Sequence, residues 1–458
     1  MKKHLIGAAV ACALLGACAA PTAVSGPSHG DAGTTVLRHF TLFDGTGAAP
    51  RQDAALVMSH GVITWVGAAS AVKVPSGARV VDLGGKFVMP GLIDSHVHLG
   101  VDKGLANYSV DAVEAQLKLY AAYGVTAVLS LGTDQDAAFE VRRAQREHPN
   151  GMARVYTTGL GVVYDGGYGG LAGLPQRART PEEARALVDA QAAKGADAIK
   201  LWMDDGFGDI PKLMPYSMSS AVISEAHAKG LKAVAHVYYR DSARELVDEG
   251  LDAFAHEVRD FPLDDAFLAA MKQHHTWQLA ATLSREASFA YPKLPFTDDP
   301  FFYRGVSPDV RARLNSPAFE EKAKADPHFP MYYGVLRTAM ENLVREAKAG
   351  IPYGMGTDSG LGQRFPGYFA HWELELMVDA GLTPLEALTA ATGSNAKFLG
   401  AADIGTIAQG KRADLMVLEK SPLDSIRNTR TISQVYVAGS PAPTIWQTCV
   451  ARQAGACD

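Results

Sequence analysis

Two histidines one residue apart, His96 and His98, close the apolar run Phe87 to Gly100. Side chains of an extended strand alternate faces, so both imidazoles point the same way. Two neutral imidazoles on one face begin a site for zinc or a related metal, although the same pair on a solvated strand face would do nothing. Other polar residues are stranded in or beside apolar runs: Lys200 within Ala198 to Trp202, His236 after Val234-Ala235, His256 after Phe254-Ala255, and Asp358 after Gly354-Met355-Gly356-Thr357. Lys200 is the informative one. An ammonium inside a buried strand costs on the order of several kcal/mol unless it is paired or neutralised. Burial favours the neutral amine, and a neutral amine can add carbon dioxide to form a carbamate whose two oxygens can each take a metal.

The elements that must position these groups follow from the pattern. Short buried strands alternate with amphipathic helices, the signature of parallel βα units. Eight strands are expected at Leu92 to His98, Val125 to Leu131, Arg154 to Val162, Ala198 to Met203, Lys232 to Val237, Ala253 to Glu257, Thr276 to Ala281 and Pro352 to Asp358. Helices such as Val110 to Tyr123, Pro181 to Lys194, Ser219 to Lys229, Ser242 to Glu249 and Tyr333 to Ala349 lie between them. The pattern predicts an α/β chain with a (β/α)8 TIM barrel over residues 92–399, whose site is built where the strands end. Two long connections, Gly159 to Arg179 and Leu283 to Met331, leave on that face and are expected to wall or cover the site, with a functionless surface loop as the alternative. β-type runs at Thr35 to Phe43, Ala55 to Met58, Val62 to Val66 and Arg79 to Asp82 have counterparts at Asp414 to Leu418 and Ile432 to Gly439. These predict a small composite β-sandwich domain from residues 34–91 and 400–445.

The chain has 458 residues, 47% apolar and 20% charged, with a formal net charge of −6. That composition excludes disorder and gives no basic footprint for nucleic acid. Lys2 and Lys3 precede an apolar segment and Leu15-Gly16-Ala17-Cys18, so residues 1–17 read as a signal peptide and 18–33 as a flexible tether. Leu15 to Cys18 resembles a bacterial lipoprotein cleavage site. The expectation is a lipidated Cys18, anchoring the protein in the bacterial cell envelope at the outer membrane facing the periplasm; ordinary cleavage near Ala19-Ala20 is the alternative. In the tail 446–458, Cys449 and Cys457 point to a local disulfide in an oxidising compartment, or else to two free thiols.

The ordered set Pro90-Gly91-Leu92-Ile93-Asp94-Ser95-His96-Val97-His98, Gly195 to Lys200 and Gly354-Met355-Gly356-Thr357-Asp358 resembles the amidohydrolase superfamily, in the prolidase-like and imidazolonepropionase-related group of binuclear enzymes. The resemblance runs from Thr34 to about Pro443. It implies that His96, His98 and Asp358 bind one divalent metal, His236 and His256 a second, and carbamylated Lys200 both, zinc being expected from the His-rich donor set. Asp358 would then serve as catalytic proton carrier for hydrolysis by a metal-activated water. Deaminase-like relatives carry a glutamate three residues after the strand-five histidine; here that residue is Tyr239, which favours hydrolysis.

The resemblance points to an amide beside a carboxylate, in a dipeptide or N-acyl amino acid. Lactones, ureas, carbamates and other esters remain open, as does a catalytically inactive surface binding protein. Arg240 and Tyr238, just after His236, are candidate substrate contacts; so is His371, which otherwise packs. A small-molecule substrate is expected as partner, with a homo-oligomer possible.

Overall fold

The computed structural model describes residues 33–101, 104–170, 173 and 176–442. The signal, the tether, Cys18, Cys449 and Cys457 lie outside the described residues. Strands β1 (Thr35–Leu42), β2 (Arg51–Ser59), β3 (Val62–Ala68), β4 (Arg79–Asp82) and β5 (Phe87–Pro90) come from one end of the chain. Strands β6 to β8 (Leu92–Val97, Val125–Ser130, Arg154–Thr157), β9 and β10 (Val163–Tyr164, Arg177–Ala178) and β11 to β14 (Ile199–Met203, Ala233–Val237, Ala253–Phe254, Trp277–Gln278) occupy the middle. Strands β15 (Leu415–Leu418), β16 (Ile432–Val437) and β17 (Ser440–Pro441) end the series.

Both ends of the chain meet in one eight-stranded sheet, ordered β17-β16-β15-β5-β1-β2-β3 with β4 also paired to β1. The two separate layers expected of a sandwich are therefore joined by hydrogen bonds. His39, at φ 63°, sits in a register shift between Arg38 and Phe40. A bulge of this kind re-aims a strand. Thr35 to Arg38 pair with β4, whereas Thr41 and Leu42 pair with β5.

The middle of the chain is an α/β unit in which β6-β7-β8 and β11-β12-β13-β14 form two parallel sheets. Single parallel bridges Val162–Leu201, Gln278–Tyr353 and Val97–Ser359 link them in a ring order, which is consistent with a (β/α)8 barrel. The last strands are shorter than their apolar runs predict, and the segment expected as strand eight is joined to its neighbours by single bridges and scattered backbone hydrogen bonds. Its backbone runs too close to its neighbours for ordinary side chains: a Cβ on Gly356 would lie 2.8 Å from His96 N. Helices cover the outside, and several start where a side chain caps them. Thr180 Oγ1 accepts the Glu183 amide ahead of Pro181, and Gly195, in the left-handed region, ends helix Pro181–Lys194.

The connection after β14 is not irregular. It contains helices Leu283–Ala290, Pro308–Leu314 and Pro317–Lys324, the last two capped by Ser307 and Ser316. Among the described residues, no helix is long and apolar enough to cross a membrane.

Candidate metal centre

The end of the last barrel segment is stitched to β6. His98 N donates to Ser359 O at 2.7 Å and Asp358 N to His96 O at 2.7 Å. Asp358 is held in the left-handed region at φ 57°, a conformation that costs a non-glycine residue energy and persists only where its surroundings enforce it. Gly360, at φ 103°, makes this possible, since a Cβ there would lie 1.8 Å from His98 O. The consequence is a carboxylate delivered to two imidazoles. Asp358 Oδ1 is 2.7 Å from His98 Nε2 and 3.5 Å from His96 Nε2.

The other rings complete the cluster. His256 stands 4.8 Å from His96 and 4.2 Å from His236, centroid to centroid. One donor atom each of His96, His256 and Asp358 lie within 4.8 Å of one another, the spacing of groups that converge on one cation. Each ring is aimed by a partner on its other nitrogen: His96 Nδ1 by Ala255 O at 2.9 Å, His98 Nδ1 by Thr133 Oγ1 at 3.0 Å, His256 Nδ1 by Thr282 Oγ1 at 2.9 Å, and His236 Nε2 by Asp204 Oδ2 at 2.5 Å. Such outer contacts are what orient histidines that hold metals. Burial keeps all four imidazoles neutral, with His236 brought down to about 4 against the pull of Asp204.

Lys200 is 1% exposed, and among the described residues its Nζ has no hydrogen-bond partner. It lies close enough to weigh on the ionisation of His96, His98 and His236. Burial lowers the amine to about 7, opposed by Asp358 and reinforced by Arg285. An orphaned buried amine of this kind, beside four neutral imidazoles and a carboxylate, fits a donor set completed by a carbamate and two divalent cations. The six residues picked from the sequence as ligands are thus brought together.

The three expected substrate contacts are not on the cavity wall. Tyr238 follows the end of β12 and packs its ring on Phe207 at 4.8 Å and under the Arg259 guanidinium at 5.0 Å. Arg240 begins the next helix, and its Nη1 reaches Pro262 O at 3.2 Å and Asp264 at 3.8 Å. His371 is buried between Tyr123 O and Thr429 Oγ1, at 2.7 and 2.9 Å. Glu257, next to His256, is turned away toward Glu346, as strand parity predicts.

Two residues not singled out from the sequence do line the cavity. A cavity of about 150 Å³ over the cluster is lined by Arg285 and Arg364, by Tyr168, Trp202, Phe289 and Leu361, and by the site histidines and Asp358. Arg285 Nε is 2.8 Å from Asp358 Oδ2, and Arg364 Nη1 contacts the same oxygen. Burial works to raise the Asp358 carboxyl, but Arg364, His96 and His98 hold it well below its usual range. Arg285 closely follows the apolar run Leu279 to Leu283, a signal that could have found it, whereas Arg364 stands in a turn six residues past Asp358. The connection from Gly159 supplies a wall: Tyr168 lies 5.2 Å from the His236 ring.

Comparison with known proteins agrees with this geometry. The profile of the Amidohydrolase family matches residues 87–442. An uncharacterised protein of Mycobacterium tuberculosis is 27% identical over 350 residues, covering 76% of this chain and 82% of that one. Imidazolonepropionase of Deinococcus radiodurans is 25% identical over 403 residues, covering 85% and 92%. Among solved structures, a candidate prolidase of Bifidobacterium longum superposes with a TM-score of 0.72 at 27% identity, over 90% of this chain and 95% of that one.

Proposed function

The chain belongs to the amidohydrolase family, and on that premise we propose a binuclear metal-dependent hydrolase that cleaves an amide bond in a dipeptide or N-acyl amino acid. The family and its enzyme relatives support a hydrolase acting on carbon–nitrogen bonds. The observation that carries the finer reading is Lys200, whose buried, unpartnered Nζ is best explained by carbamylation. In this reading the segments from β6 to Ser359 close into a (β/α)8 barrel. His96, His98 and Asp358 would hold one cation, His236 and His256 the other, and the carbamate of Lys200 both, zinc being the metal that suits these donors.

Bound metals would supply an acidified water and a polarised substrate carbonyl. The chain's own residues do the rest. Asp358 is kept ionised by Arg364 and the two histidines, so its carboxylate can take a proton from the attacking water and pass it to the leaving nitrogen. Arg285 and Arg364 put positive charge on the cavity wall, and Tyr168, Trp202 and Phe289 give it apolar surface. A lipidated Cys18 would place this chemistry at the outer membrane, facing the periplasm.

Elemental analysis of protein purified with zinc and bicarbonate, followed by a screen of dipeptides, N-acyl amino acids, lactones, carbamates and aryl esters, tests the reading. The expected result is two metals per chain and turnover of the first two classes. Saturation at one metal overturns the binuclear centre, and exclusive turnover of lactones or esters overturns the amide assignment.

A further inference from the structure

We propose that Arg364 is the residue that grips a carboxylate of the substrate, while the apolar wall beside it receives an uncharged side chain or acyl group. The proposal rests on the hydrolase reading above and deepens it by assigning the recognition of charge to one side chain.

The backbone that carries Arg364 is tied by local hydrogen bonds. Gly360 N donates to Arg364 O at 2.9 Å, Arg364 N to Leu361 O at 3.2 Å, and Arg364 Nε to the same carbonyl at 3.1 Å. The turn is seated on β6 through Gly360, whose missing Cβ lets it contact His98 O. A guanidinium held this way is pre-organised, and less freedom is lost when it binds.

The charges on this wall do not balance. Arg259 and Arg285 both pair with Glu286, whose Oε1 lies 3.1 Å from Arg259 Nε and 2.5 Å from Arg285 Nη1. Among the described residues the ion-pair partner of Arg364 is Asp358 alone, through an oxygen that Arg285 also contacts at 2.8 Å. On the cavity wall Arg285 and Arg364 thus share one oxygen of Asp358, a carboxylate that also serves two imidazoles. Since the Arg364 side chain is only 14% exposed, water does little to neutralise the excess. An incoming carboxylate supplies the missing charge, and the planar fork can bind it through two hydrogen bonds. Tyr168, Trp202, Phe289 and Leu361 line the same cavity. A substrate that is anionic at one end and apolar at the other matches both features.

The competing role is that Arg364 only positions Asp358. Metal-loaded protein is assayed with N-acetyl-L-phenylalanine and its carboxamide, in parent, Arg364→Met, Arg364→Lys and, as a control away from the cavity, Arg240→Met. Calorimetric binding of both compounds is measured alongside. The parent should favour the acid by about 30-fold or more in kcat/KM, the size of a buried charge-assisted contact. Arg364→Met should slow both compounds through Asp358 but the acid by about 10-fold or more beyond the carboxamide, so that the preference is lost, whereas Arg364→Lys should keep part of it and Arg240→Met all of it. Equal losses on both compounds, or a parent without preference, overturn the proposal. If neither compound is hydrolysed but the acid binds through Arg364, this inference stands whatever bond the substrate screen identifies. If the acid does not bind, the inference fails.

Discussion

Asp204 Oδ2 lies 2.5 Å from His236 Nε2, while Asp204 Oδ1 accepts the amides of Asp205 and Gly206 at 2.7 and 3.0 Å. The carboxylate is thus fixed by its own turn before it fixes the ring. With Nε2 engaged, only Nδ1 of His236 is left for a cation, so Asp204 decides how that nitrogen would be presented to a metal. Asp204→Asn is expected to weaken metal binding by about 10- to 100-fold, measured by competition with a chelator. Unchanged affinity would remove this role.

Attachment at Cys18 predicts a simple fractionation result. The parent should sediment with membranes after expression in a bacterium that processes lipoproteins, and Cys18→Ser should be released. A variant retained as firmly as the parent would leave the lipidation reading without support.

The cluster of six candidate ligands was legible because each is a polar residue within or just after a buried apolar run, a placement that sequence periodicity reveals directly. The substrate contacts were not. Alternation along the strand assigns Tyr238 to the face of His236, but β12 stops at Val237 and the next residue turns to pack on Phe207. Arg240 follows the ligand closely in sequence, yet as the first residue of a helix it leans on Pro262 and Asp264. The arginines that do line the cavity sit in connections, where periodicity says nothing about direction. The connection after β14 carried a readable signal all the same: Ser307-Pro308 and Ser316-Pro317 pair a capping hydroxyl with a proline at the first helical position. Aromatic and proline content hid those helices. The fork of the sheet at His39 had no signal of its own, because a bulge depends on which strands lie on either side.

Glu257 and Glu346 are both buried and face each other, so one of them must carry a proton. Burial raises both, Glu257 further through Glu346 and Glu373 and despite Arg259; Glu346 reaches about 8. A carboxyl raised in the folded state contributes stability that is complete below its unfolded value, near 4.5, and is lost as pH rises toward 8. The melting temperature should therefore fall between pH 5 and 9. Glu346→Gln, which cannot ionise, should fall less and at pH 9 should melt above the parent by about 2 °C or more. Parallel pH profiles for the two proteins would show that the pair does not govern alkaline stability.

Carbamylation of Lys200 makes a prediction in which the amine's ionisation sets the direction. Only the neutral amine adds carbon dioxide, and burial lowers Lys200 to about 7, against Asp358. Apoprotein stripped of carbon dioxide should accordingly recover activity with bicarbonate and zinc faster at pH 8 than at pH 6, where the ammonium dominates. Carbon-13 bicarbonate should give a carbamate signal that Lys200→Ala lacks. That variant should also lose one of its two metals and at least about 100-fold in kcat, since a ligand to both cations is gone. Short carboxylic acids such as propionate should restore part of the loss by entering the space left by the side chain, whereas propionamide should not. An active, metal-loaded parent with no carbamate signal would overturn the assignment and require another reason for a buried lysine without a hydrogen-bond partner.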